Sequence, residues 1–197
     1  MTRRSLGLRP AVLLTTLLAV LLPMALTGAA HAASGFTVRD PLGDVRILDR
    51  GAGWTGAELR SIDLRTVRVT RKSGGTVFRV RIADVRPRMD GDQMVFLTAT
   101  PPKGAGRFPR LDVGMSAQQR DLGYAILTTG NTSYRTCDPL RARVDDRASA
   151  ISLRIPKRCL PRTKVRLHVA SYVGYFRSEG PSASKDKIPY TRPVRLR

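Results

Sequence analysis

The feature that most constrains this chain is a two-residue alternation. In VFRVRIADV, at 77–85, Phe78, Val80 and Ile82 alternate with Arg79 and Arg81. Only an extended strand puts every second side chain on one face, so the apolar set faces a core and the arginines face away from it. The pattern recurs where Arg68 stands between Val67 and Val69, Arg154 between Leu153 and Ile155, and Arg166 between Val165 and Leu167. Glycine and proline punctuate these runs. KSGGT, at 72–76, reads as a hairpin turn and PPKGAGRFP, at 101–109, as a break. Strands are predicted over 35–40, 62–71, 77–85, 94–100, 110–115, 122–129, 133–137, 150–156 and 164–176. A slip of phase between Leu64 and Val67 predicts a bulge. No long stretch after position 34 carries a helical stripe. The expectation is an all-β fold: an antiparallel, jelly-roll-like β-sandwich of eight or nine strands with one disulfide.

The first 33 residues read differently. Arg3, Arg4 and Arg9 form a basic start, an apolar run fills 11–26, and AHA at 30–32 offers small residues for cleavage. That run is shorter than the ~20 residues a spanning helix needs. A cleaved signal peptide over 1–33 is therefore expected. The strongly apolar run suits the general export route, and the paired arginines suit the twin-arginine one. Removing it from 197 residues leaves 164, enough for one domain with its own core. The expected division is a sandwich over 34–178 and a polar, Pro-rich tail over 179–197 that ends in a short edge strand around Val194. A secreted chain, extracellular or associated with the cell wall, meets oxidising conditions, so the pair Cys137 and Cys159 reads as a disulfide.

Charge narrows the partners. The chain has 35 Lys and Arg against 15 Asp and Glu. Without the three arginines of the signal the surplus is +17. Such a surplus favours an anionic envelope polymer or an acidic polysaccharide. The hairpin predicted around 72–76 brings Arg68 near Arg79 or Arg81 across the strand pair. Like charges placed so destabilise each other unless an anion or interleaved acids intervene, and guanidinium groups suit phosphate and carboxylate. The plainer reading is a solvated surface in a protein that uses arginine freely. Nucleic acid fits the charge but not an extracellular setting, and an aromatic content of 6% is modest for a base-stacking surface.

Catalytic chemistry is poorly provided for. Past the signal His168 is the only histidine, and it stands out of phase with Val165, Leu167 and Val169. Glu58 and Glu179 are the only glutamates. There is no G-x-S-x-G elbow, and GAGWTG at 51–56 lacks the Lys-Ser/Thr of a phosphate loop. No enzyme is expected, and an exported hydrolase ranks last among the readings. DPLGDVRI, at 40–47, has two readings. Asp-Pro and Gly-Asp are ordinary turn dipeptides. Alternatively Asp40, Asp44 and Asp63 converge as oxygen ligands for calcium, with Gly43 permitting a sharp turn. RMDGDQ, at 88–93, reads as a hairpin loop. Trp54, the only tryptophan, either anchors its loop on the sandwich or offers its ring to a sugar.

DPLGDV, the Asp63-Leu64 strand start, and PKRCLP leading into VRLHVASY together resemble small exported actinobacterial proteins of unassigned function. These share an Asp-Pro-x-Gly-Asp start and a Pro-x-x-Cys-Leu turn. More distantly, the Asp-rich start before a strand pair is similar to family 9 carbohydrate-binding and DOMON-like sandwich modules. The resemblance implies a sandwich and a binding role. The expected function is a secreted, non-enzymatic binding module for carbohydrate or an anionic cell-envelope polymer, contacted through Trp54, Arg68, Arg79 and Arg81. The alternative is a structural or protein-interaction module whose basic surface only solubilises it.

Overall fold

A computed structural model describes residues 35–49, 53–120, 123–137, 140–175 and 182–197. The expected signal peptide lies outside the described residues. Ala32–Arg197 is one compact unit, and its regular structure is almost wholly antiparallel strand, in two sheets.

One sheet has five strands. β1 (Gly35–Arg39) pairs with β3 (Leu64–Lys72), which turns through Ser73 and Gly74 into β4 (Gly75–Ile82). Beyond β4 lie β10 (Ala150–Pro156) and β9 (Arg143–Asp145). The second sheet has seven. Its order is β2 (Arg46–Ile47), β12 (Ser184–Ile188), β11 (Arg166–Gly174), β5 (Asp92–Thr100), β6 (Arg110–Ser116), β7 (Tyr124–Thr128) and β8 (Tyr134–Thr136). The phase slip is a real bulge: the β3–β4 register shifts between Leu64 and Thr66. Gly75, where the hairpin re-enters the ladder, has φ +152° and leaves no room for a side chain. A Cβ there would stand 2.1 Å from the Ile155 carbonyl oxygen.

The core lies between the sheets and uses the apolar half of each alternation. Val67, Val69, Phe78, Val80, Ile151, Leu153 and Ile155 face Val95, Leu97, Leu111, Val113, Met115, Leu167 and Val169, all essentially inaccessible. Each such side chain stabilises the fold by about 1.5–3 kcal/mol. Cys137, just after β8, is bonded to Cys159 in a one-turn 3-10 helix (Lys157–Cys159) that follows β10. Their Cα atoms are 6.4 Å apart. The bridge ties the β8 edge of the larger sheet to the β10 side of the smaller one.

The structure corrects two expectations. Among the described residues there are twelve strands, not eight or nine. The additional ones, β2, β9 and β12, are short and polar, so they lack the apolar alternation that marks the others. The described part of the expected tail, 182–197, is not only a tail: β12 stands between β2 and β11, and Ile188 and Leu196 are buried. Val194 makes the edge contact expected there, an isolated antiparallel bridge to Val165. In keeping with the expected all-β fold, the one α-helix among the described residues is a single turn, α1 (Gly56–Arg60). Thr55 caps it: the Glu58 amide donates to Thr55 Oγ1 at 3.2 Å, and the Thr55 amide donates to Glu58 Oε2 at 2.7 Å.

Candidate functional site

The outer face of the five-stranded sheet gathers basic side chains. Arg68 lies directly across from Arg79 in the β3–β4 pair, and Arg81 sits two residues further on the same side, across from Thr66. Register extends the face to the flanking strands. Thr37 opposes Arg68 and Arg39 opposes Thr66 on one side. On the other side Ser152 opposes Arg79, Arg154 opposes Val77, and Arg143 opposes Ser152. Since side chains two apart share a face, Arg39, Arg68, Lys72, Arg79, Arg81, Arg143 and Arg154 project together. Asp145, aligned with Arg143, is the one acid at these strand positions.

That acid is used. Arg79 Nη2 lies 2.7 Å from Asp145 Oδ2, and this bond, more than any other cause, holds the Asp145 carboxyl below its ordinary range. Arg81 Nε donates to the Ala148 carbonyl at 3.1 Å. Two of the three arginines singled out in the sequence are therefore partly satisfied within the fold. Arg39, Arg68, Lys72, Arg143 and Arg154 make no ion pair among the described residues. Lys72, Arg79, Arg143 and Arg154 also line a shallow cleft of about 420 Å³ across β4, β9 and β10. Arg166, fourth in the sequence pattern, belongs to the other sheet, where its guanidinium lies over the Tyr190 ring at 4.7 Å.

A second constellation stands at one lateral edge, where β1 leaves the smaller sheet and crosses to β2. One carboxylate oxygen from each of Asp40, Asp44 and Asp186 lies within 4.8 Å of the other two. Asp186 is the member that the sequence reading missed. It projects inward from β12 between Lys185 and Lys187, with Oδ2 accepting the Leu64 amide at 2.6 Å and Oδ1 accepting the Lys187 amide at 2.6 Å. The S-K-D-K-I alternation carried the signal, an acid in phase with Ser184 and Ile188. Asp63 takes a different part from the one expected. Its Oδ2 pairs with Arg65 Nη2 at 3.1 Å and accepts the Gly43 amide at 2.9 Å, which pins the turn that presents Asp44. Gly43 adopts φ +82°, as that turn requires. Burial, then the charges of Asp186, Asp44 and Asp63, push the Asp40 carboxyl up to about 7. Burial also pushes Asp186 upward.

Trp54 is brought to neither place. It packs on a small satellite core of Leu59, Ile62, Val173 and Ala183, beside Val45, Ile47 and Met89. Its indole N–H donates to the Asp90 carbonyl, and its ring lies 5.7 Å from that of Tyr175. These contacts hold the ring against the fold, and they reach the RMDGDQ segment, where a Cβ at Gly91 would sit 3.1 Å from the indole; that segment is not a hairpin loop, because β4 and β5 lie in different sheets. His168 is half-buried, its Nδ1 2.7 Å from the Ile188 carbonyl oxygen and its ring beside Tyr190. Burial lowers its pKa. Among the described residues no helix is long and apolar enough to cross a membrane. Compared with known proteins, the sequence matches no protein-family model and no curated protein.

Proposed function

We propose that this protein is a secreted binding module that captures an anionic envelope polymer on the outer face of its five-stranded sheet. The observation that carries the reading is the array of Arg39, Arg68, Lys72, Arg79, Arg81, Arg143 and Arg154 facing one way with Asp145 as the one acid at the aligned strand positions. Arg68 directly across from Arg79 is unfavourable by itself, and a polymer carrying regularly spaced phosphate or carboxylate groups relieves it while using the fork geometry of guanidinium. A stiff sheet holds the cations at fixed spacing, so little ordering is needed on binding. The reading includes no catalytic step. It takes the disulfide and the signal-like 1–33 segment as support for export.

A second reading, neutral carbohydrate, is favoured by the outer face of the seven-stranded sheet. There Phe96 and Tyr172 meet edge to face at 5.7 Å, and Tyr190 stands beside His168. Sugars stack on such rings without needing charge. Immobilised polyanionic wall polymer and a neutral polysaccharide, each challenged over a series of salt concentrations, distinguish the two. Capture on the arginine face weakens steeply with salt because screening acts over ~8 Å at physiological ionic strength, whereas stacking is largely spared. Replacing Arg68, Arg79 and Arg81 with glutamine should weaken capture of the polyanion and leave neutral-sugar binding unchanged. Full capture by that variant at low salt refutes the proposal.

A further inference from the structure

The two lateral edges of the sandwich are closed differently. On the β8 and β10 side the Cys137–Cys159 bond joins the sheets covalently. On the other side β1 is the edge of the smaller sheet and β2, with β12 behind it, the edge of the larger. There the contact is made by carboxylates: Asp40 from the end of β1, Asp44 from the crossing loop and Asp186 from β12. Three acids meeting at a seam repel one another, which is a costly way to join two sheets.

We propose that Asp40, Asp44 and Asp186 bind a divalent cation of calcium type, which closes this seam as the disulfide closes the opposite one. Calcium is held by oxygens at about 2.3–2.6 Å, so any two of its ligands lie no more than about 5 Å apart. One oxygen from each of the three carboxylates lies within 4.8 Å of the other two, which meets that condition before any movement.

A second observation is independent of the clustering. Asp40 is 9% exposed, yet its Oδ2 is buried with no hydrogen-bond partner. An unpaired buried carboxylate oxygen is expensive, and this one belongs to the carboxylate that faces Asp44 and Asp186. Asp63 Oδ1, at the same seam, is likewise buried and unpartnered. No lysine or arginine among the described residues forms an ion pair with Asp40, Asp44 or Asp186. Arg39, Arg46, Lys185 and Lys187 line the same cleft without pairing with these acids. Arg65 is held by Asp63, and the Lys185 ammonium lies over Tyr172. An all-oxygen, all-carboxylate set selects a hard ion over zinc or copper. The cleft around it, about 850 Å³ and lined also by Pro41, Pro189 and Tyr190, opens to solvent and leaves room for water ligands.

The test uses the purified mature chain, stripped with a chelator and titrated with calcium chloride. Thermal melting and calorimetric binding are read together. At a calcium concentration one hundred times the dissociation constant, ligand linkage raises the melting temperature of a domain of this size by about 8 °C. Sodium chloride at equal ionic strength should give no such rise. Asp186→Asn sets an amide NH2 against one of the two backbone amides that the carboxylate accepts, which endangers the fold itself, so the deciding variant is Asp44→Asn. Asp44 is exposed and replaceable without disturbing the core. It should bind calcium at least tenfold more weakly while melting, in chelator, no lower than the parent. A parent chain that shows neither heat of binding nor a shift at millimolar calcium overturns the proposal. So does an Asp44→Asn chain that responds like the parent, or a sodium chloride control that matches calcium. Polymer capture by the arginine face does not depend on this site, so retention that persists in chelator leaves the two proposals separately tested.

Discussion

Removing the Cys137–Cys159 bond probes the architecture at its seam. The bonded residues are 22 apart in sequence. In the chain-entropy description, releasing a loop of that length gives the unfolded state about 11 cal/mol/K, or about 3.4 kcal/mol at 25 °C. Both cysteines are buried, so the double Cys137→Ala, Cys159→Ala variant also loses a little packing, and 3.4 kcal/mol is a lower figure for the total. For a domain of about 160 residues the unfolding entropy near the midpoint is about 0.34 kcal/mol/K, so the melting temperature should drop by about 10 °C. Calorimetry gives the temperature and urea titration the free energy. The urea slope should rise, because the uncrosslinked chain exposes more surface on unfolding. A variant that melts within about 2 °C of the parent, with an unchanged urea slope, would refute the view that this bond fastens the two sheets at the β8 edge.

Two further predictions follow from particular contacts. Gly75→Ala sets a Cβ 2.1 Å from the Ile155 carbonyl oxygen at a φ of +152°, so strain and displacement of β10 together should cost about 3 kcal/mol or more by urea titration; a loss under 1 kcal/mol would contradict the β4–β10 register. The Asp40 carboxyl, raised to about 7 in the folded chain from about 3.9 when unfolded, holds a proton that the unfolded state gives up. The stability this proton lends is fully present below about pH 4 and is lost as pH rises through about 7. The groups facing it are Asp44, Asp63 and Asp186, with Arg65 held by Asp63, so in chelator the melting temperature should fall between pH 5 and pH 8, and Asp40→Asn should flatten that fall; equal pH profiles for the two chains would contradict the argument.

What the sequence conveyed followed the strength of its periodicities. β3, β4, β10 and β11 were legible because each pairs a buried Val, Leu or Ile face with an arginine or other polar face. Even the bulge showed, as a broken phase after Leu64. β2, β9 and β12 were not, because two to five residues of mixed polarity hold their place through pairing with neighbours rather than through a pattern of their own. The helix at Gly56–Arg60 had a signature in T-G-A-E, the capping box at Thr55 and Glu58, but a single turn has no stripe to accompany it. The arginine face was visible as far as β3 and β4. Its extension to Arg39 and Arg143 depended on strand order, which local sequence does not encode. The acidic seam shows the same limit. Asp40 and Asp44 are neighbours in sequence, and the turn between them keeps them close in the fold. Sequence alone offers Asp63 as the third member because it opens the next strand, whereas the fold brings Asp186 there from more than a hundred residues away and commits Asp63 to Arg65 and the Gly43 amide.

The central claim, that the outer face of the five-stranded sheet is an anion-binding surface, is tested most directly by the salt dependence of affinity for a phosphate-rich wall polymer. Affinity should fall linearly on logarithmic axes as salt rises, with a slope set by the number of cations engaged. The Arg68→Gln, Arg79→Gln, Arg81→Gln chain should keep its fold, since exposed substitutions usually shift stability by about 0.5 kcal/mol each or less. Its slope should be shallower by about two to three, close to one for each phosphate contact removed, with Arg79 contributing least because Asp145 already holds it. An unchanged slope in a folded triple variant would contradict the account.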